Sequence, residues 1–184
     1  IFKPKHAKTL RTRLGSVAEL LEEAEKTGRV MVYEESGAHT TLAPPVLAGL
    51  SADICIHGHL GAAALECALQ GIPTLVIDRE GERFHKFNIL PRGKVIFNNW
   101  DDTINALNEN IESPKGIPGF GDWSDYLDEF DPFNDGKAAQ RIGTYLQWLM
   151  QGFDNGLDRE KIMTDAAEQY AEKWGIDKVI YHSS

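Results

Sequence analysis

The sequence predicts an α/β fold: a mostly parallel sheet of about five strands, helices on both faces, and a helical tail at the C-terminus. Three observations predict it. Short apolar runs alternate with stretches of helical periodicity from Ile1 to Ile111, and strands joined through helices are parallel because each connection must cross over. The run Asp53–His57 is almost continuously apolar between its ends, as a strand covered on both faces is. Gly28 and Gly71 stand where helical patterns stop, the place of a left-handed C-terminal cap.

Taken in order, Ile1–His6 starts apolar and ends basic, and reads as the first strand. Leu10–Lys26 carries Leu14, Val17, Leu20, Leu21 and Ala24 at helical spacing. Arg29–Tyr33 is the second strand, ending in Glu34 and Glu35, and Ser36–Thr41 is a loop. Pro44–Leu50 fits a short helix, since proline is tolerated in a first turn. The third strand, Asp53–His57, runs through Gly58-His59-Leu60-Gly61 into a helix over Ala62–Gln70, and Pro73–Asp78 is the fourth strand. Arg79–Leu90 is a connection with a short helix, Lys94–Phe97 the fifth strand, and Asp101–Ile111 a helix capped by Asp101 or Asp102. Ser113–Asp135 is rich in Gly, Pro, Asp and aromatics and too apolar for a disordered linker, so it is expected to pack over the sheet. Helices over Lys137–Gln151, begun near Asn134 or Asp135, and Asp158–Trp174, capped by Asp158, complete the tail. Each has an apolar stripe that needs a partner. The organisation is therefore a sheet domain over residues 1–112 and an aromatic-rich connection with two helices over 113–184.

Composition narrows the function. With 184 residues the chain is long enough for one good core and too short for two sizeable nucleotide-binding domains. No apolar run approaches the roughly 20 residues that span a bilayer. The net charge of −9 repels a phosphate backbone, so no nucleic-acid role is expected; Lys3–Arg13 is the single short basic stretch. Cys55 lies in an apolar strand and Cys67 in the next helix, so both read as small buried hydrophobes in a reducing cytoplasm. His57 and His59 could suggest a metal, but no Cys or carboxylate joins them at ligand spacing, and no metal site is expected. Ile1–His6 has no signal pattern before it, so the sequence reads as a piece of something longer.

Parallel sheets bind ligands at the carboxyl ends of their strands. Polar residues collect there: Lys5 and His6 close the first strand, Glu34, Glu35 and Ser36 the second, His57 to His59 the third, and Asp78 to Glu80 the fourth. Polarity also marks any strand that surfaces. Gly58 and Gly61 let a backbone come close, and the N–H groups of a helix beginning at Gly61 and Ala62 would face a diphosphate with partial positive charge. Such a glycine pair serves close helix–sheet packing equally well. Glu66 lies about a turn further on, among apolar and small neighbours; it is either a ribose-binding acid on a face turned toward the sheet or an exposed helix glutamate.

The run Ala52–Asp78 joins a strand, a small-residue turn, a helix with the internal Glu66, Gly71-Ile72-Pro73 and another strand. It resembles the donor-binding segment of glycosyltransferases with two Rossmann domains, the GT-B architecture. Lys3-Pro4-Lys5-His6 resembles the basic strand end of transferases that build bacterial surface polysaccharides and teichoic-acid-type polymers. Asp135-Gly136-Lys137-Ala138-Ala139-Gln140-Arg141-Ile142 resembles the Asp-Gly-x-Ala-x-x-Arg helix start near their C-terminus. Where the teichoic-acid-type enzymes carry a hydroxyl pair before the helix, this chain has Gly61-Ala62, which leaves phosphate contacts to backbone N–H groups.

The resemblance implies a Rossmann-like domain that binds a nucleotide-diphosphate sugar as substrate, without a further cofactor. Lys5, His6, His57, Gly58, Gly61, Ala62, Glu66 and Asp78 would line the site. Lys5 and His57 would offset charge on the leaving diphosphate, and Glu66 would hold the ribose. The partner would be an N-terminal acceptor domain absent from this chain, which assigns no catalytic residue and predicts no sugar transfer by the chain alone. The setting would be cytoplasmic polysaccharide assembly, with peripheral membrane association open to the full-length protein. A nucleotide-sugar epimerase of the same architecture and a non-catalytic interaction module are the alternatives.

Overall fold

The computed structural model describes residues 1–4, 7–33, 44–81 and 85–179. It divides the chain into two compact units, Ile1–Leu127 and Asp128–Ser184.

The first unit opens with α1 (Ala7–Leu14) and α2 (Ala18–Lys26), separated by a 3-10 turn at Gly15–Val17. The single helix expected over Leu10–Lys26 is broken there because Gly15 adopts φ +54°, outside helical geometry. A short α3 (Pro45–Gly49) precedes β1 (Cys55–His57), α4 (Ala62–Ala68), β2 (Thr74–Ile77), β3 (Ile96–Phe97) and α5 (Trp100–Glu112). The cap of α5 is Asn99, whose side-chain oxygen accepts from the Asp102 N–H at 2.8 Å, rather than Asp101 or Asp102. Asp101 and Asp102 instead lie in the first turn, where their charge suits the helix dipole.

The sheet is parallel, in the order β1-β2-β3. Cys55 pairs with Thr74 and His57 with Val76; Val76 and Ile77 in turn pair with Ile96 and Phe97. β2 is central, β-branched at three of its four positions and buried throughout. The short helix expected in the connection from β2 to β3 is a 3-10 helix at Lys86–Ile89.

A sheet of about five strands does not form among the described residues. Phe2 and Val32 make one isolated parallel bridge, with the Phe2 N–H donating to Met31 O at 2.7 Å and the Tyr33 N–H to Phe2 O at 2.8 Å. Pro4 follows two residues later and has no N–H to carry a ladder onward. Phe2 and Met31 are both about half exposed, so neither flank gains the burial that would lengthen the pairing. β1 is consequently covered on one face only: Cys55 and His57 share the half-buried face while Ile56 is exposed.

The segment after α5 completes the sheet core. Leu75, Phe97 and Phe120 form a buried cluster with Ile54, Ala106, Leu107 and Ile117 around it. Gly121 carbonyl oxygen accepts from the Thr74 N–H at 2.8 Å, and its own N–H donates to Lys94 O at 3.0 Å. Only glycine fits at that point: φ is +70° and a Cβ would stand 2.9 Å from the Thr74 nitrogen. Trp123, 2% exposed, donates its indole N–H to Thr74 O at 2.8 Å and meets Phe87 edge-on at 5.1 Å. The amino end of β2 is thus sealed by its own chain.

The second unit is a helical hairpin of α6 (Ala138–Asp154) and α7 (Arg159–Trp174). Asp158 caps α7 through the Lys161 N–H at 3.1 Å. Aromatic pairs Tyr145–Tyr170 at 6.1 Å and Trp148–Trp174 at 5.4 Å link the helices. Gly152 lets them come close, since a Cβ there would lie 2.7 Å from Ile162 Cγ1.

Candidate functional site at the carboxyl edge of the sheet

Because the strands are parallel, His57 and Asp78 leave β1 and β2 at the same edge. Lys5, His6, Glu34, Glu35 and Ser36, also expected at this edge, lie outside the described residues. From His57 the chain turns through Gly58 and Gly61, the residue before α4, which holds an extended φ of −163°. At Gly58 an added Cβ would meet nothing within 4 Å, and at Gly61 it would meet only the His59 ring, 2.9 Å away. Close helix–sheet packing therefore does not explain this glycine pair. The backbone of the turn borders open space, with Gly58 and Ala62 exposed.

The His57 side chain is half-buried, and burial, aided by the neighbouring His59, pulls its pKa below the ordinary imidazole value. It is neutral at pH 7, so it brings hydrogen-bonding capacity rather than charge to an anion. Glu66 is exposed on α4, not turned toward the sheet; the buried face of that helix consists of Ala64, Cys67 and Ala68.

Asp78 is already committed. Its side chain is buried and accepts from the Gly81 N–H at 2.9 Å and from Arg92 Nη2 at 2.9 Å. Arg92 also donates to Asn88 and Asn98 at 2.9 and 2.8 Å. A buried carboxylate needs such donors. Asp78 thus fixes the loop leaving β2 against the loop entering β3, a positioning task. Arg92 was not legible as its partner, because the two are 14 residues apart and meet only through the sheet.

The fold also assembles a group that sequence spacing hides. The ligand atoms of Cys55, His57 and Cys67 all lie within 4.8 Å of one another. Cys55 and His57 share one face of β1, and Cys67 comes from α4, which packs on β1. Burial pushes both thiols up, Cys67 to about 12 with the Cys55 thiol adding to the effect. The expectation that no Cys joins the histidines fails because helix packing, not sequence spacing, brings Cys67 there. The Cys55-x-His57 alternation was the signal available in the sequence.

The Asp135–Arg141 motif has a local structural explanation. The Asp135 carboxylate accepts from both Arg141 terminal nitrogens at 3.0 and 2.8 Å and from the Lys137 N–H at 3.0 Å. Arg141 is buried, with its guanidinium 3.7 Å from the Phe133 ring centroid. The paired guanidinium holds the Asp135 pKa at about 2. The motif fixes the start of α6.

Each unit carries a cavity of its own. One, about 360 Å³, is bordered by Pro73, Gly121 and Trp123 at the sealed end of β2. The other, about 500 Å³ within the hairpin unit, is lined by Phe133, Arg141, Tyr145, Tyr170 and Lys178 among others. Compared with known proteins, the chain matches no protein-family model, no curated protein and no solved structure.

Proposed function

We propose that the chain is the donor-binding half of a glycosyltransferase of the two-Rossmann-domain kind, acting in cell-surface polysaccharide synthesis and holding a nucleoside-diphosphate sugar at the carboxyl edge of its sheet. The observation that carries this reading is the Gly58–Gly61 turn, open at Gly58 and bordered at Gly61 only by the His59 ring, at the edge where a parallel sheet takes its ligands. Backbone N–H groups at Gly61 and Ala62 meet the diphosphate. His57, as a neutral imidazole, donates one hydrogen bond to it. Glu66, exposed a turn along α4, reaches the ribose hydroxyls. Asp78 acts through Arg92 and the loop it fixes. The acceptor and the catalytic base belong to a second domain.

A thermal-shift series with UDP, CDP, GDP and their sugars tests the reading, since a ligand at about a hundred times its Kd stabilises by roughly 2.7 kcal/mol. Glu66→Gln is expected to weaken the best ligand about 10-fold to 150-fold, the equivalent of one charged hydrogen bond. No stabilisation by any of these nucleotides would refute the proposal. One observation favours an interaction module as the second reading: Ile142, Leu146, Met150 and Phe153 are exposed in a row along α6. That reading predicts concentration-dependent association and no nucleotide response.

A further inference from the structure

We infer that Cys55, His57 and Cys67 form a binding site for a thiophilic metal ion, zinc(II), at the junction of β1, α3 and α4. The three donors come from two elements held by the core: Cys55 and His57 from one face of β1, Cys67 from the buried face of α4. Their ligand atoms lie within 4.8 Å of one another. Zinc bonds of about 2.3 Å to sulfur and 2.0–2.1 Å to nitrogen place tetrahedral ligands roughly 3.5–3.8 Å apart. Closing the remaining distance takes about 1 Å, within the reach of side-chain rotation about χ1.

The surroundings suit the ion. Gly49 of α3 lies over the sulfurs, where a Cβ would stand 2.9 Å from Cys67 Sγ and 3.2 Å from Cys55 Sγ. A backbone without a side chain therefore covers the sulfur pair on that side. Two thiolates and one imidazole are a donor set that selects zinc over calcium or magnesium, and three protein ligands leave a fourth position for water or a substrate oxygen. As each sulfur–metal bond forms, the thiol releases its proton to solvent.

The site stands apart from the donor proposal, although both use His57. One imidazole nitrogen can bind the metal while the other donates to a phosphate.

The test is titration of the fully reduced whole chain, without oxygen, with cobalt(II) and then zinc(II). One equivalent of cobalt is expected to give thiolate-to-cobalt charge-transfer absorption, which zinc then removes. Cys55→Ser and Cys67→Ser should each reduce the band and weaken zinc binding by roughly a hundredfold or more. His57→Asn should weaken binding and alter the ligand-field spectrum, while His59→Asn should leave both as in the parent. Absence of the charge-transfer band in the reduced parent protein would overturn the inference, whatever the variants do. So would a band that survives unchanged in both cysteine variants. Far-ultraviolet circular dichroism identifies any variant that fails to fold. A Cys67→Ser chain that keeps its nucleotide-induced thermal shift while losing cobalt separates this site from the donor site.

Discussion

The close approach of α6 and α7 makes a prediction that can be worked through. Replacing Gly152 with alanine would place a Cβ 2.7 Å from Ile162 Cγ1 and 3.0 Å from Ile162 Cγ2. Ile162 is 2% exposed, so its side chain has nowhere to retreat. Overpacking of that kind costs about 1–3 kcal/mol. Against it stands the helix propensity gained on replacing glycine by alanine, about 1 kcal/mol. Gly152→Ala is therefore expected to destabilise the hairpin by about 0–2 kcal/mol, and Ile162→Ala alone by about 2–5 kcal/mol through its cavity. In the double variant the new methyl enters space vacated by the isoleucine, so its loss should fall short of the sum by about 1–3 kcal/mol. Urea unfolding of all four proteins, followed by circular dichroism, measures the cycle. The reasoning is refuted if Gly152→Ala stabilises by the full propensity gain and the two changes add within about 0.5 kcal/mol.

Three further outcomes are expected. Trp123→Phe should cost about 1–3 kcal/mol, because the Thr74 carbonyl loses its indole donor inside the core; a lowered urea midpoint with unchanged slope would register it. The Asp135 carboxylate has a folded pKa of about 2 against an unfolded value of about 3.9, so its contribution to stability is full above that unfolded value. It should fade as pH falls from about 4 toward 2, and acid titration of Asp135→Asn should lack that component. Gly58→Ala should leave stability within about 0.5 kcal/mol, since its Cβ meets nothing within 4 Å. Calorimetry should nevertheless find weaker nucleotide binding if the ligand's phosphates approach that backbone.

Much of the fold was legible where one physical signal dominated. The apolar runs at Pro73–Asp78 and Lys94–Phe97 contain β2 and β3, and the helix after Gly61 and the Asp158 cap stand where periodicity and capping chemistry put them. The failures have identifiable causes. Ile1–His6 looked like a strand because its first residues are apolar, but Pro4 interrupts the donor row, and among the described residues Phe2 and Val32 make a single bridge. Asn99 outcompeted two aspartates for the same cap, a choice among near-equal residues that sequence does not resolve. At the candidate site, the edge to which His57 and Asp78 belong followed from strand direction. Their environments did not, because Arg92 and Cys67 reach them only through tertiary packing.

The junction of Gly121 and Trp123 with Thr74 also governs the order in which the molecule can be made. Synthesis runs from the amino end, so β1, β2 and β3 emerge before the residues that satisfy the first amide and carbonyl of β2. The indole-to-carbonyl bond spans 49 positions, and contacts of such separation form late because loop closure precedes their reward. Until Trp123 arrives, the nascent sheet carries an unpaired polar edge at one end and an uncovered Leu75 and Phe97 beside it. A chain released at Glu112 would keep every strand of the sheet yet lack its closing segment. Such a truncated product should stay loosely packed and prone to association, a liability that ends only when synthesis has passed the last residues of the first unit.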